Sequence, residues 1–351
     1  MSSEATGTAT DTATGSEVIL EVTGLKKYFP IEKGFLRRHV GDVKAVDNVN
    51  LYIRKGETLG LVGESGCGKT TLGRCIVRAL KPTEGEIDYT LPSGRTVDLA
   101  TLESKELRRI RRHIHMIFQD PYSSLDPRMT VLDIIGEPIK YNKLATRDET
   151  TERVKELMRT VGLDVQHLKR YPHAFSGGQR QRIGIARSLA PNPQLIVCDE
   201  AVSALDVSIQ AQILNLLQDL QTQFGLTYLF ISHDLRVVQY VCDRVAVMYV
   251  GRIVELASTY DLYAVPKHPY TEALMSAIPI PNPDIKMDRI ILPGEVADPA
   301  NPPSGCYFHP RCQYATEECR VKRPELAEIE PGRFVACHRA GELTLKGLAS
   351  T

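Results

Sequence analysis

Residues 63–71 read Gly63-Glu64-Ser65-Gly66-Cys67-Gly68-Lys69-Thr70-Thr71 and follow the apolar run Leu59-Gly60-Leu61-Val62. A glycine-rich turn of this kind lets successive backbone N–H groups converge on phosphate oxygens, and Lys69 supplies a cation. The apolar run predicts a buried strand before the turn, and Thr70–Leu80 predicts a helix after it. Because strand, turn and helix occur in the order that a phosphate-binding loop requires, the sequence predicts that a nucleoside triphosphate binds here.

A second glycine-rich motif lies further along the chain, where Phe175-Ser176-Gly177-Gly178-Gln179 precedes a helical pattern. A helix that starts in this way offers free backbone N–H groups to an anion, but this motif has no lysine. The first motif alone indicates only that a nucleotide binds. The second predicts another anion-binding helix start, so the pair carries more information than either motif.

The order of the apolar segments predicts a parallel α/β core preceded by antiparallel strands. Val18–Val22 and Ala45–Ile53 alternate apolar and polar residues, which is typical of antiparallel strands. Two further apolar runs, Gln194–Cys198 and Thr227–Ile231, predict buried strands, and Ile209–Phe224 predicts the helix between them. Such βαβ units form a parallel sheet.

Composition and periodicity divide the chain into regions. Residues 1–17 are rich in Ser, Thr, Ala and Gly, which predicts a disordered leader. Residues 18–260 contain the core, and helical periodicity over about 121–190 predicts an inserted helical subdomain. In residues 261–351 proline is frequent and regular periodicity fades, which predicts a C-terminal extension that holds four of the eight cysteines.

The overall composition excludes several classes of protein. The chain has 351 residues, 42% of them hydrophobic and 25% charged, with a formal net charge of zero, so nothing in its charge favours a nucleic-acid partner. No run approaches the ~18 apolar residues of a membrane-spanning helix. The leader has neither the basic nor the apolar region of a secretion signal. The cysteines are therefore expected in a reducing compartment, where metal ligation explains grouped cysteines better than disulfides do.

Triphosphate hydrolysis needs cations on the phosphates, a metal ion and a base for water. We expect Lys69 to reach the β- and γ-phosphates and the Thr70 hydroxyl to bind Mg²⁺. Asp199, at the end of its apolar run, is placed to hold the metal through water, and Glu200 beside it is the candidate general base. Gln119 follows another apolar run and is a candidate for contacting Mg²⁺ or the attacking water.

Together these residues resemble the ATP-binding cassette (ABC) ATPases over residues 18–260. Residues 63–71 match that family's Walker A motif, Gln119 the Q-loop, 176–179 the signature, 195–200 Walker B, 203–206 the D-loop and His233 the switch histidine. The resemblance implies a P-loop NTPase fold, bound ATP and Mg²⁺, catalytic roles for Glu200, His233 and Gln119, and Mg²⁺ ligation by Thr70, Gln119 and Asp199. The nucleotide-binding residues that it implies are Phe29, Gly63, Glu64, Ser65, Gly66, Cys67, Gly68, Lys69, Thr70, Thr71, Ser176, Gly177, Gly178 and Gln179.

At two positions of the matched region the sequence departs from the family pattern or leaves a choice open. The family usually has proline after the Walker B glutamate, and this chain has Ala201. Because Ala201 carries no reacting group, the active site is expected to be complete, with a less rigid backbone at that point. Tyr28 is an alternative to Phe29 for stacking on adenine.

In this family two cassettes associate head to tail, and each ATP is closed between Walker A of one and the signature of the other. One Walker A motif in this chain disfavours the tandem cassettes of translation factors, and the lack of a heptad run disfavours the repair proteins. A general P-loop NTPase or kinase would leave the signature unexplained. A transporter motor is therefore the preferred interpretation, with a soluble, non-transport ABC ATPase left open.

Three segments narrow the resemblance to the ATPases of oligopeptide/dipeptide importers, closest to the subunit usually called F. They are residues 118–129, residues 203–212 and His268-Pro269-Tyr270-Thr271. The resemblance implies a motor at the cytoplasmic face of the cell membrane. It also implies a paralogous ATP-binding subunit, two transmembrane permease subunits, an extracytoplasmic substrate-binding protein and no nucleic acid. Nickel or oligosaccharide cargo stays open.

Four cysteines of the extension follow the spacing C-x5-C-x6-C-x17-C: Cys306, Cys312, Cys319 and Cys337. Common zinc motifs contain a closer cysteine pair, whereas a [4Fe-4S] cluster accepts irregular spacing. The peptide-importer resemblance reaches these residues and implies such a cluster. Tetrahedral zinc, held by the four sulfurs or by three of them with His309 or His338, and unligated thiols remain alternatives.

Overall fold

This computed structural model describes residues 17–34, 38–120, 122–279 and 289–348. Its strands form two sheets. In chain order they are β1 (Val18–Lys33), β2 (Arg38–Arg54), β3 (Thr58–Val62), β4 (Glu84–Thr90), β5 (Thr96–Asp98), β6 (Ile114–Ile117), β7 (Leu195–Asp199), β8 (Thr227–Ile231), β9 (Arg244–Tyr249), β10 (Arg252–Ser258), β11 (Ala327–Glu330) and β12 (Arg333–Val335). The predicted leader, apart from Glu17, lies outside the described residues.

The α-helices of the described ranges lie between and after these strands. They are α1 (Lys69–Ile76), α2 (Ser104–Ile110), α3 (Val131–Tyr141), α4 (Arg147–Thr160), α5 (Gly177–Leu189), α6 (Val207–Phe224), α7 (Leu235–Val241), α8 (Thr259–Ala264), α9 (Pro269–Ser276) and α10 (Glu317–Val321). Short 3₁₀ helices cover Arg111–His113, Val165–Lys169, Pro172–Ala174 and His309–Arg311.

The larger sheet has the strand order β11-β12-β10-β9-β3-β8-β7-β6, and its centre is parallel. Strand register aligns the carboxyl ends of neighbouring strands, since Ile231 pairs with Leu61 on one side and with Asp199 on the other. Ile117 pairs with Cys198 in the next strand. Residues that follow β3, β6, β7 and β8 therefore meet at one edge of the sheet.

The smaller sheet is antiparallel, in the order β2-β1-β4-β5, and Val18 pairs with Arg54 in its first two strands. This arrangement confirms the antiparallel strands predicted at Val18–Val22 and Ala45–Ile53. One group of buried residues joins this sheet to α1 and one face of the parallel sheet. A second group joins the other face to α3–α6. The parallel strands are buried because both faces are covered.

Most predicted elements of the core are confirmed. The runs Leu59–Val62 and Thr227–Ile231 are strands, Gln194–Cys198 corresponds to β7, and Ile209–Phe224 lies within α6. The helix predicted over Thr70–Leu80 is shorter, because α1 ends at Ile76. Its end is set by Arg78, which adopts φ 55° and donates from Nε to the Leu99 carbonyl at 2.5 Å.

The extension contributes regular structure that the sequence pattern did not predict. Strand β12 pairs with β10, and β11 pairs with β12, so both lengthen the parallel sheet at its β9 side. A buried ion pair fixes this junction, because Arg333 lies 3.3 Å from Glu255 and the Glu255 side chain is fully buried. Three helices, α3, α4 and α5, lie within the region predicted to be a helical subdomain, and its boundaries stay a prediction.

Candidate functional site: a nucleotide-binding centre at the sheet edge

The phosphate-binding loop connects β3 to α1 and depends on glycine at two positions. Gly63 has φ 151° and Gly68 has φ 108°. A Cβ atom would lie 2.1 Å from the Met248 carbonyl oxygen at Gly63 and 2.0 Å from the Ala45 carbonyl oxygen at Gly68. Other residues are excluded both by backbone conformation and by these contacts with main-chain atoms.

Lys69 begins α1 and directs its ammonium group back into the loop. It is 5% exposed, and its Nζ donates to the carbonyl oxygens of Gly63 at 2.8 Å and Glu64 at 3.0 Å. The cation therefore lies inside the curve of the loop. Anions are stabilised there by the free N–H groups at the start of α1 as well as by the lysine.

Thr70 and Asp199 bring the loop and the end of β7 together. The Thr70 hydroxyl donates to an Asp199 carboxylate oxygen at 2.8 Å, and Asp199 is 2% exposed. Burial raises the pKa of Asp199, against the opposing effects of the Thr70 hydroxyl and the Arg74 charge. A bound cation would favour the ionised carboxylate. A hydroxyl beside a buried carboxylate is an oxygen donor set that suits Mg²⁺.

Glu200 is the meeting point of residues from three adjacent strands. Gln119, beyond β6, donates from its side-chain nitrogen to Glu200 Oε2 at 2.8 Å, and Nδ1 of His233, beyond β8, lies 3.4 Å from the same oxygen. Glu200 has φ 48°, a left-handed conformation that is costly for a residue with a side chain. Its backbone N–H donates to Ile231 and Ser203 Oγ donates to its carbonyl, which hold this conformation.

The signature residues form the N-terminus of α5 as predicted. Ser176 is an exposed N-cap, and it exchanges hydrogen bonds with Gln179 in a capping box. Helix α5 packs against α3, α4, α6 and β6, whereas α1 packs against β1, β2, β7 and β8. The two anion-binding helix starts therefore belong to helices with different neighbours. Gly178 also has a packing role, because its Cα faces Ile209 of α6.

The two aromatic candidates for adenine stacking have different surroundings. The Tyr28 hydroxyl donates to Asp47 at 2.6 Å, and burial together with this bond raises its pKa. Phe29 is 36% exposed, with the Lys27 ammonium 4.9 Å from its ring centroid. Phe29 is the more exposed of the two rings and is therefore the more accessible to a stacking ligand.

The four cysteines of the extension line one small cavity of about 20 Å³, together with His309 and His338. Burial raises the pKa of Cys306, Cys312 and Cys337 to about 11, so these three groups are neutral thiols at neutral pH. Within the described residues, no group of three or more His, Cys, Asp and Glu side chains is arranged so that it could hold a metal ion. The geometry gives a thiol cluster and no support for a [4Fe-4S] cluster.

Sequence reasoning missed two residues that contact the phosphate-binding loop from the extension. Arg311 donates to both carboxylate oxygens of Glu64, at 2.8 and 3.2 Å. The Glu64 backbone N–H donates to the Tyr270 hydroxyl at 2.9 Å. No local signal predicts these contacts, because 247 and 206 residues separate the partners.

Comparisons with known proteins agree with this geometry. The sequence model of the ABC transporter family matches residues 46–203, and that of the oligopeptide/dipeptide transporter C-terminal region matches residues 254–319. The oligopeptide transport ATP-binding protein AppF of Bacillus subtilis is 53% identical over 330 residues, which are 93% of this chain and 99% of AppF. A putative peptide import ATP-binding protein of Brucella ovis is 52% identical over 92% of this chain and 98% of its own length.

Solved structures show the same fold. The ATP-binding cassette MJ0796, solved as a dimer in a post-hydrolysis state with ADP and Pi, superposes with a TM-score of 0.60 at 29% identity. The match covers 69% of this chain and 99% of that cassette. Every helix of the described ranges is too short or too polar to span a bilayer. From its motifs, its fold and these relatives, the chain belongs to the ATP-binding subunits of ABC transporters, in the oligopeptide/dipeptide importer group.

Proposed function

We propose that this chain is the ATP-hydrolysing motor subunit of an importer of dipeptides or oligopeptides. The single observation that carries the ATPase assignment is the convergence of Gln119 and His233 on Glu200. Glu200 directly follows Asp199, which is bonded to Thr70 of the phosphate-binding loop. A base, its two polar neighbours and the phosphate site are thus adjacent, as hydrolysis of a bound triphosphate requires.

Each side chain has a distinct role in this proposal. Lys69 and the loop N–H groups bind the β- and γ-phosphates, and Phe29 stacks on adenine. Thr70 and Asp199 would hold Mg²⁺, which when bound neutralises charge on the phosphates. Glu200 accepts a proton from the attacking water, while Gln119 and His233 orient its carboxylate.

If each ATP is enclosed between two cassettes, the signature need not lie beside the phosphate-binding loop of its own chain. Ser176 and the N–H groups of Gly177 and Gly178 would meet the γ-phosphate held by the loop of a second, paralogous cassette. Loss of the γ-phosphate on hydrolysis would remove that contact and allow the pair to open. The dimeric state of the MJ0796 cassette supports this arrangement.

The relatives' names support the remaining partners and the cargo. AppF is named as an oligopeptide transport ATP-binding protein, and the Brucella protein as a putative peptide import ATP-binding protein. We assign two transmembrane permease subunits, an extracytoplasmic binding protein and a place at the cytoplasmic face of the membrane. We also assign residues 18–260 to the ATPase domain and residues 261–351 to the extension that follows it.

For the extension, the cysteine spacing supports a [4Fe-4S] cluster held by Cys306, Cys312, Cys319 and Cys337. The four cysteines line one cavity, but their arrangement within the described residues counts against the cluster. Iron and acid-labile sulfide, measured on anaerobically purified protein, decide the matter. About four of each per chain supports the cluster, whereas zinc or metal-free thiols refute it.

The ATPase assignment is tested by Glu200→Gln, which keeps the side-chain size and removes the base. We expect hydrolysis to fall at least ~100-fold while ATP binding is retained, because a general base contributes at that scale. Chromatography with Mg-ATP should then show a stabilised cassette pair. Glu317→Gln is the matched control, since Glu317 is 89% exposed in the extension. Wild-type turnover in Glu200→Gln would refute the assigned base.

The transport role is tested by tagging the full chain in its native cells and identifying the proteins that co-purify. Permease and extracytoplasmic binding proteins are expected. Ribosomes or DNA in their place would refute the importer assignment and favour a soluble ABC ATPase. Uptake of labelled peptides, nickel and oligosaccharides in cells that lack the chain identifies the cargo.

A further inference from the structure

Glu64, the second residue of the phosphate-binding loop, is held at each of its three polar groups. Its backbone N–H donates to the Tyr270 hydroxyl at 2.9 Å, and its carbonyl oxygen accepts from Lys69 Nζ at 3.0 Å. Its carboxylate accepts two hydrogen bonds from Arg311, at 2.8 and 3.2 Å. Two of the three groups that hold Glu64 therefore come from the extension, Tyr270 from α9 and Arg311 from a segment that follows it.

The Arg311 side of this contact is buried. The Arg311 side chain is 9% exposed, and Arg311 ends the short helix His309–Arg311, whose N-cap is Phe308. Phe308 packs with Tyr249 and Tyr270, at centroid distances of 5.3 and 5.4 Å, and all three rings are buried. A bidentate guanidinium–carboxylate pair on such a base fixes orientation as well as distance.

The tip of the loop, directly after Glu64, has little support of this kind. Ser65 and Gly66 are exposed, and Gly66 has φ 80° with open space around its Cα. A loop with these properties loses conformational freedom when its N–H groups converge on phosphates. Fixing Glu64 beforehand reduces that loss, because the loop then starts from a defined position.

We propose that Arg311 is a positioning residue for ATP binding, which acts through Glu64 to hold the phosphate-binding loop in its binding conformation. The inference rests on the proposed function, since it assumes that this loop binds ATP. It gives the extension a role in the nucleotide site that does not depend on a metal. It also differs from a purely electrostatic role, in which Arg311 would only cancel the negative charge of Glu64 near the phosphates.

Two single variants and their combination distinguish these roles: Arg311→Met, Glu64→Met and the double variant. Positioning predicts that each single change raises the KM for ATP about tenfold with a smaller change in kcat. The double variant should be no worse than the poorer single variant, because both changes remove the same contact. Arg311→Lys, which keeps the charge but not the bidentate geometry, should give an intermediate KM.

The assay uses the full chain with its co-purified partner subunits, together with equilibrium binding of a fluorescent ATP analogue. Arg320→Met is the matched control, because Arg320 is a 61% exposed arginine of the same extension. If Arg311→Met and Glu64→Met change the KM for ATP in opposite directions, and the two changes add in the double variant, the role of Arg311 is electrostatic and the positioning proposal is overturned. An unchanged KM in Arg311→Met would also overturn it.

Misfolding of a variant and failure of the proposed function itself can each be recognised separately. If Arg311→Met fails to fold, as judged by melting temperature, Glu64→Met and Arg311→Lys decide by the same criterion of KM. A wild-type protein that neither binds nor hydrolyses ATP would refute the proposed function itself. That result is seen in the wild-type sample, so it cannot be confused with failure of the positioning proposal.

Discussion

Replacing Gly178 with alanine tests whether this signature glycine is needed for packing as well as for its N–H group. A Cβ atom at this position would lie 2.5 Å from Cγ2 of Ile209 in α6. An ordinary carbon–carbon contact is about 3.5 Å, so the two helices or the isoleucine must move by about 1 Å. Ile209 cannot rotate away easily, because β-branched residues in helices have one strongly preferred χ1 rotamer.

The expected loss of stability combines two opposing effects. Overpacking costs about 1–3 kcal/mol, and the higher helix propensity of alanine returns up to about 1 kcal/mol. The net destabilisation is therefore about 0–2 kcal/mol, which for a chain of 351 residues lowers the melting temperature by up to about 3 °C. Adding Ile209→Ala removes the obstructing methyl group, so the double variant should lose less stability than the sum of the single variants.

Thermal unfolding of the full chain, followed by circular dichroism, measures these effects. Gly184 provides the matched control in the same helix, since a Cβ atom there meets nothing within 4 Å. Gly184→Ala should therefore stabilise the protein by about 0.5–1 kcal/mol. If Gly178→Ala is as stable as Gly184→Ala, the packing argument is refuted and the glycine is explained only by phosphate binding.

Two other predictions concern buried charge. Arg244→Met should destabilise the fold by about 3–5 kcal/mol, as measured by urea unfolding. The Glu57 side chain, which is 9% exposed and lies 2.9 Å from Arg244, would be left as an unpaired buried carboxylate. The double variant with Glu57→Met should recover most of the loss, and wild-type stability of Arg244→Met would contradict this prediction. Burial lowers the pKa of His268 to about 3, so the unfolded chain binds the extra proton and stability falls as pH drops from about 6.5 towards 3. At pH 5 the loss is about 2 kcal/mol. His268→Asn, which can still accept the Tyr270 N–H bond, should lack this part of the pH dependence, and an identical pH profile would count against it.

The core of the fold could be predicted because its signals are local. The run before Gly63 is apolar and ends in a glycine-rich turn, so the strand and the loop follow from adjacent residues. The end of α1 could not be read in this way, since Arg78 has the left-handed conformation that glycine usually provides at a helix end. Its guanidinium compensates through the Leu99 carbonyl, a contact that depends on the folded chain.

The same distinction applies to the candidate site. Asp199 and Glu200 could be predicted from the end of a buried strand, and alignment of parallel strand ends accounts for the proximity of Gln119 and His233. The sequence did not predict that both side chains approach the same oxygen of Glu200. It also gave no sign of Arg311, because an arginine among prolines has no periodicity that points to a partner 247 residues away.

The extension and the cassette are joined by buried charge, which argues that they fold together. Glu255 of β10 is fully buried and accepts hydrogen bonds from the His268 backbone N–H and from Arg333 of β12. Without the extension this carboxylate would be an unpaired buried charge, which costs several kcal/mol, and the β10 edge would lose its partner β12. Glu64 would likewise lose Arg311. The nucleotide site is therefore completed by residues that follow the cassette in the sequence.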